Sequence, residues 1–379
     1  MQACLDKSGV HLSGLSLKQA GRANERKTRF ESLGVYLPPK IITTADLFRE
    51  IKPQPNWDLE KITGIHERHM AEKESIFDCA LSAVKNALTL SKHPPEEIDV
   101  IVSTGSAIFD HKKEHMCEPC LSSMIKGAIK AHNAIHFDIS NGCVGMFSGI
   151  AIIDNMIRNG EVKTAIVVSG ELPLKLHHIV SRDFYDVIDE SFIRLTFGDA
   201  GAAVVLDGSA ENGFGLHYIN LSTMPKYCNY NMMILSEPSW KSIIKTESLI
   251  QDYVAYDHLW PMYKEALDQT GWTLKDLNAF IPQQTSRGTI KKSKEVIEQG
   301  FREKLDNVFI DNLEKYGNTG SNTSFIALHE NILTGRIQSG CNIMFGIFAP
   351  GFIMGMATYT MDDLPDRYRM QHSMMGESL

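Results

Sequence analysis

The sequence predicts an α/β protein made of two similar halves, in which helices alternate with strands buried on both faces. Two observations carry this. NALTLSKHPPEEIDVIVSTGS, residues 86–106, reads as a helix end, a connector and a strand rich in β-branched residues, and EALDQTGWTLKDLNAFIPQQTS, residues 265–286, repeats that order. Leu88 and Ile98 correspond to Leu267 and Leu277 at the same spacing. A second pair, SGIAIIDNMIRNGEVKTAIVVSG (148–170) and TSFIALHENILTGRIQSGCNIMFGIF (323–348), reads twice as an amphipathic helix, a glycine-containing turn and an apolar strand. Repetition at this scale means an internal duplication, and apolar runs of this kind suit a sheet covered on both faces.

In chain order, residues 1–29 are an arm or tail, residues 30–212 the first half and residues 213–379 the second. The stretch IQSGCNIMFGIFAPGFIMGMATYTM, residues 337–361, carries no charge and has the length of a membrane span. Asn342, Pro350 and the glycines at 346, 351 and 355 divide it into two short runs around APG, so two buried strands are expected and no membrane span.

Composition limits the partners. With 379 residues, 43% hydrophobic and 22% charged, the chain is ordinary globular material. A formal net charge of −8 offers no basic field to nucleic acid, and no polybasic run suits an anionic membrane. The polar N-terminus MQACLDKSGVHLSG has no apolar region followed by a cleavage site, so a cytoplasmic location is expected. Seven cysteines scattered through a large chain suit free thiols. Cys117 and Cys120 have C-x-x-C spacing without a second pair, so no metal or redox cofactor is expected.

Cys143 lies in ISNGCVGMFSG, residues 139–149, where glycines permit a sharp turn into a helix. Unpaired N–H groups and the helix dipole favour an anion there, so the thiol is expected to lose its proton readily and to accept an acyl group from a thioester. A small buried core residue is the other reading of the same position, and position alone leaves both open. By the duplication, Asn318 in YGNTGSNTS falls at the equivalent helix start, and Gln283 and Gln284 follow the strand of the other repeated segment.

The chain resembles the thiolase-fold condensing enzymes of the β-ketoacyl synthase III-like branch over about residues 31–359. Five stretches carry the resemblance: KITGIHERHMA (61–71), FDISNGCVG around Cys143, FGDAGAAVVL (197–206), YGNTGSNTS around Asn318 and the FAPGF loop (348–352). It implies a five-layered α-β-α-β-α thiolase fold of duplicated βαβ halves, and a homodimer. It also implies a nucleophile at Cys143, an enolate-binding amide at Asn318 and an oxyanion N–H from Gly351 and Phe352. Where the family has Pro-His-Gln, this chain has Gln283. Glutamine donates an N–H to an oxyanion but exchanges no proton near neutral pH. The context of Glu118 in EHMCEPCLSS resembles the head-to-head condensing members of olefin and alkylpyrone biosynthesis, which implies a base reaching in from the neighbouring subunit.

The leading expectation is therefore a Claisen condensation of acyl thioesters, carried by coenzyme A or an acyl carrier protein, in a specialised lipid or polyketide pathway. Acyl transfer to a hydroxyl or amine is the first alternative. A silent or altered subunit paired with an active paralogue in a heteromer is the second. His115, His177 and His178 lack metal spacing, Asp199 is expected to be structural, and Thr285, Ser286 and Arg287 are plausible neighbours of substrate.

Overall fold

Each half builds one five-stranded sheet. The computed structural model describes residues 13–16, 27–50, 56–105, 118–178, 192–236, 241–246, 248–305, 307–349 and 351–374. The strands are β1 (Ser13–Ser16), β2 (Arg29–Tyr36), β3 (Val100–Ser103), β4 (Ile135–Asp138), β5 (Thr164–Glu171), β6 (Ala200–Asp207), β7 (Gly215–Thr223), β8 (Ala279–Pro282), β9 (Asn342–Ala349) and β10 (Ile353–Thr360). The first sheet has the order β2-β6-β5-β3-β4 and the second β1-β7-β10-β9-β8. Strand β3 is parallel to both β4 and β5, and β8 is parallel to β9. The remaining pairs are antiparallel.

The two orders superimpose as a duplication. Strands β2, β6, β5 and β3 match β7, β10, β9 and β8. In place of β4 the second half has a single bridge from Phe280 to Phe309, where the Phe280 N–H donates to Val308 O at 2.7 Å and the Ile310 N–H to Phe280 O at 2.9 Å. From the expected arm, β1 adds an antiparallel edge strand to β7, so part of that arm belongs to the second sheet. The uncharged stretch forms the β9–β10 hairpin, and no helix among the described residues is long and apolar enough to cross a membrane.

Six helices complete the layers: α1 (Ile76–Leu90), α2 (Leu121–Ile129), α3 (Gly145–Arg158), α4 (Ser248–Thr270), α5 (Arg287–Phe301) and α6 (Thr323–Leu333). Helices α3 and α6 are apolar on most sides because both sheets press on them: α3 touches β5 and β7, and α6 touches β2 and β8. Their charges are paired: Asp154 in α3 is held by Arg158 Nε at 2.8 Å, and Glu330 in α6 by Lys315 Nζ at 2.7 Å. Helices α1 and α2 cover the outer face of the first sheet, while α4 and α5 cover that of the second. The result is the expected five-layered α-β-α-β-α arrangement, with all residues of β3, β5, β6 and β8 buried.

The first sheet approaches α1 backbone to backbone. A Cβ on Gly34 would stand 2.1 Å from Ala83 O, and one on Gly201 2.3 Å from Cys79 O, so the alanine-rich face of α1 lies directly on the strands. Gly34→Ala forces that helix off the sheet and is expected to lower stability by about 1–3 kcal/mol, the usual cost of overpacking. Chemical denaturation of the variant beside the parent protein measures it, and an unchanged midpoint would refute the close-approach account.

Candidate active site

Strand β4 leads into the nucleophile turn. Its last residue, Asp138, fastens the start of α2 by accepting the N–H groups of Leu121 (3.0 Å) and Ser122 (3.1 Å). The Ile139 N–H then donates to Ser103 O at 2.8 Å, and the chain bends at Gly142, whose φ of 51° favours glycine. A single 3₁₀ turn, Gly142–Val144, carries Cys143 into α3. Gly145 must lack a side chain here, since a Cβ would stand 2.6 Å from Thr104 O.

The second half repeats this device. Asn318 is pinned by its own backbone, its N–H donating to Thr196 O at 2.8 Å and its carbonyl accepting from Gly198 N at 3.0 Å. Its side-chain Oδ1 accepts the Gly320 N–H at 3.1 Å. A 3₁₀ turn, Gly320–Asn322, then opens α6 and packs against the Gly142–Val144 turn. Strands β5 and β9, and helices α3 and α6, are offset by the same 178 residues (342 − 164 and 323 − 145). The counterpart of Cys143 is therefore Ser321. Asn318 stands three residues before that counterpart rather than at it, a correction to the expected equivalence.

Gln283 follows β8, with its N–H donating to Gly346 O of β9 at 2.7 Å. Its side chain is buried, and among the described residues neither Nε2 nor Oε1 has a hydrogen-bond partner. Gln284 is the opposite case. Its Nε2 donates to Pro282 O (3.1 Å) and Ile310 O (3.0 Å), and its Oε1 accepts the Asn312 N–H at 3.1 Å. Gly351 and Phe352 turn the β9–β10 hairpin at φ values of 79° and 55°. The Phe352 ring is buried against Tyr227 and its carbonyl accepts the Met224 N–H at 2.9 Å. Strand β10 runs from that turn past the nucleophile: a Cβ on Gly355 would lie 3.3 Å from Val144 Cγ1.

The electrostatics run against one expectation. Burial pushes the Cys143 thiol up to about 12, the negative charge of Glu171 pushes it the same way, and only the backbone N–H at the turn opposes them. Desolvation thus outweighs the helix-terminus effect, which is worth about 0.3–1 kcal/mol at exposed sites. Glu171, at the end of β5, gave no motif signal in the sequence; its burial beside the second turn singles it out.

Other expected residues take structural places. Burial raises the Asp199 carboxyl to about 7, opposed by the backbone N–H groups of Ala71 (3.0 Å), Leu174 (2.8 Å) and Lys175 that it accepts. That is the fastening role expected of it. Arg68, in the KITGIHERHMA stretch, is fully buried and donates to Leu195 O at 2.7 Å and to the Thr44 hydroxyl. Ser286 caps α5 by accepting the Thr289 N–H at 3.2 Å, and Arg287 reaches Glu314 at 3.5 Å. Glu118 is exposed at the approach to α2, and no contact with another expected site residue is seen among the described residues. His115, Cys117 and the side chains of His177 and His178 lie outside the described residues. No group of three His, Cys, Asp or Glu suited to a metal occurs among the described residues.

Comparison with known proteins bears on the family and the fold. The family profile 3-oxoacyl-[acyl-carrier-protein] synthase III matches residues 137–225, and its C-terminal profile matches residues 267–361. The first spans Cys143 and the second spans Gln283 and Asn318. The chain is a thiolase-fold protein of the ketoacyl synthase III-like family. It is 28% identical to the β-ketoacyl-[acyl-carrier-protein] synthase III of Actinobacillus pleuropneumoniae over 86% of this chain and 96% of that protein. The Aquifex aeolicus synthase III is 29% identical over 86% and 97%. Among solved structures, the priming β-ketosynthase of the R1128 polyketide pathway matches at a TM-score of 0.76 and 24% identity, over 90% of this chain and 99% of that one. Xanthomonas campestris OleA matches at a TM-score of 0.76 and 19% identity, over 89% and 97%.

Within this ketoacyl synthase III-like site the two adjacent glutamines separate structure from chemistry. Gln284→Ala strands three buried backbone partners and is expected to cost at least about 2 kcal/mol. Gln283→Ala removes an amide that has no partner among the described residues and is expected to stay within about 1 kcal/mol of the parent protein. Denaturant titration of both variants tests the contrast, and equal losses would contradict it.

Proposed function

We propose that the chain catalyses a Claisen condensation through an acyl-enzyme on Cys143. The Cys143 sulfur attacks the carbonyl of a first thioester, its proton leaves with the departing thiol, and the acyl group passes to the protein. Glu118 of a second copy removes an α-proton from a second thioester. The Nε2–H of Gln283 and the side-chain N–H of Asn318 hold the resulting enolate oxygen, and the backbone at Gly351 and Phe352 holds the oxygen of the acyl group under attack. The enolate carbon bonds to the acyl carbon, the Cys143–acyl bond breaks and the sulfur is reprotonated, leaving a β-keto thioester. No cofactor takes part, because the thioesters carry the activation.

The observation that carries this reading is the Gln283 amide. A buried polar group without a partner costs about 1–3 kcal/mol, so its retention at the end of β8, bonded through its N–H to β9, which touches the Cys143 turn, suits a substrate oxygen. As a neutral amide it supplies the electrostatic part of a histidine's work and none of the proton transfer. The loss of a general base commonly costs a factor of about 10²–10⁴, which is why the reading assigns the proton to Glu118.

The placement of Glu118 supports a second copy. It precedes α2, which is fastened to the end of β4, and β4 is the open edge of the first sheet with Ile135 57% exposed. An exposed strand edge with an apolar side chain suits sheet-to-sheet pairing between copies. Exposed Arg287, Lys291 and Lys292 on α5 suit an acidic carrier protein as the thioester donor. With a neutral residue at position 283 and a carboxylate as base, the pathway proposed is a specialised lipid or polyketide one.

Intact-protein mass spectrometry with acyl-CoA esters and carrier-bound acyl groups is expected to show an adduct that Cys143→Ala abolishes, with β-keto product forming without Gln283→His. Product that appears only with Gln283→His would refute Glu118 as base. No adduct with any thioester would refute the acyl-enzyme itself. Mixing Cys143→Ala chains with Glu118→Gln chains is expected to restore part of the activity that each lacks alone, since a mixed dimer retains one complete site; no restoration would place Glu118 outside the partner's chemistry.

A further inference from the structure

The end of the first sheet opposite the Cys143 turn is closed by charged side chains from several elements. Asp207, the last residue of β6, pairs with Thr164 at the start of β5 and accepts Arg29 of β2 through both carboxylate oxygens, from Nε at 2.9 Å and Nη2 at 3.1 Å. The Ser209 N–H (2.9 Å) and hydroxyl (2.7 Å) donate to the same carboxylate. His93, in the loop after α1, brings its Nε2 to 3.1 Å from Asp207 Oδ2, while its Nδ1 lies 3.0 Å from Glu97 Oε2. The residues beside it are held as well. Ser91 Oγ and the Lys92 N–H donate to the buried Glu31 of β2 at 2.6 and 3.0 Å. From the C-terminal helix, Leu364–Met374, Arg367 reaches Leu90 O (3.4 Å), Glu31 O (2.6 Å) and Asp363 (3.1 Å). Asp363 also faces Lys92 Nζ at 3.6 Å and Arg29 at 3.5 Å, and Asp362 accepts Arg29 at 3.1 Å.

A neutral imidazole has one N–H and satisfies one carboxylate; its other nitrogen turns a lone pair toward the second. With a carboxylate oxygen at both ring nitrogens of His93, the protonated form is the one this geometry fits. We propose that His93 is a proton-dependent latch: as an imidazolium it bridges Asp207 and Glu97 and pins the loop to which the C-terminal helix is fastened, and loss of its proton as pH rises loosens that joint. Nothing in the cluster replaces the lost charge. Among the described residues, Arg29, Lys92 and Arg367 are left facing Glu31, Glu97, Asp207, Asp362 and Asp363, so deprotonation deepens an excess of negative charge. Burial opposes the charge on His93, but the bonds to Glu97 and Asp207 outweigh it and hold the imidazole above its ordinary range. Burial opposes the charge on Asp207 too, yet Arg29, Ser209 and His93 hold its carboxyl down to about 2, so it stays ionised wherever His93 titrates. A group whose pKa is raised on folding contributes stability that is complete below its unfolded value, about 6.5 for histidine, and disappears as pH climbs through the folded one. The latch is thus closed in mild acid and opens as pH climbs past the unfolded value. It does not rest on the proposed reaction, since none of these side chains belongs to the Cys143 site.

The test compares the full-length parent protein with His93→Gln by urea denaturation from about pH 5 to about pH 9, because the difference between the two cancels the groups common to both. The midpoint advantage of the parent is expected to be largest and level at the acid end and to shrink as pH rises. A difference that stays constant, or grows with pH, would overturn the latch. In a Glu97→Gln background the same comparison is expected to lose its advantage at lower pH, because one of the two carboxylates holding the proton has gone. An unmoved window would overturn the bridge. Amide exchange over residues 90–93 and 364–374, corrected for intrinsic rates, reads where the joint opens. Protection in the parent is expected to fall between about pH 6 and about pH 8.5, and in His93→Gln to be low at both. Equal protection of the parent at the two pH values would overturn the link to the C-terminal helix. If His93→Gln does not fold, Glu97→Gln, at a side chain that is 59% exposed, takes its place: its protection is expected to fall at lower pH than the parent's, and coincident curves would overturn the latch.

Discussion

The structure depends on two helices that begin inside it. Helices α3 and α6 are sandwiched between the sheets, so the unpaired N–H groups at their first turns have little solvent to meet. The chain answers with local acceptors and with groups from the other half. Asn318 Oδ1 takes the Gly320 N–H, and Ser321 turns to Glu171 across the boundary between halves. Polar chemistry is thus concentrated at the one place where an otherwise apolar sandwich must have it, which is the meeting point of the two turns.

That constraint also sets the electrical character of the site. Among the described residues, the polar side chains of the two turns and of the end of β8 are amides and hydroxyls, with the Glu171 carboxylate set against Ser321. Burial pushes the Cys143 thiol upward, against the pull of the helix terminus. A reaction built here must therefore stabilise developing negative charge with preorganised neutral donors and move its protons through a group brought from outside the buried centre. The exposed position of Glu118, next to an open sheet edge, fits that requirement.

Close packing explains why the turns are so exactingly placed. Strands β2, β5 and β6 meet α1 through glycines at 34, 170 and 201, each with a helix carbonyl where a side chain would be, and Gly145 holds α3 against Thr104 in the same way. With the first sheet in backbone contact with α1, and Gly145 set against Thr104 O, little room is left for displacement at the Cys143 turn. Asp199, deep in the first half and accepting three backbone N–H groups, secures the segments on either side of that contact.

The sequence alone was enough for the duplication, the two sheets and the β9–β10 hairpin. These depend on local periodicity and turn residues, which survive in one dimension because each element must bury its own apolar face. What it left open were quantities that arise only when the halves close. Burial works against the expected ionisation of Cys143, since the helix terminus is visible in sequence and the desolvation that opposes it is not. Ser321, rather than Asn318, proved to be the counterpart of Cys143, because the register of two similar segments is decided by strand pairing. Glu171 and Ser321 are 150 residues apart, and neither sits in a motif that announces the other. Their contact belongs to the tertiary structure, because a buried charge finds its partners across a layer and not along the chain.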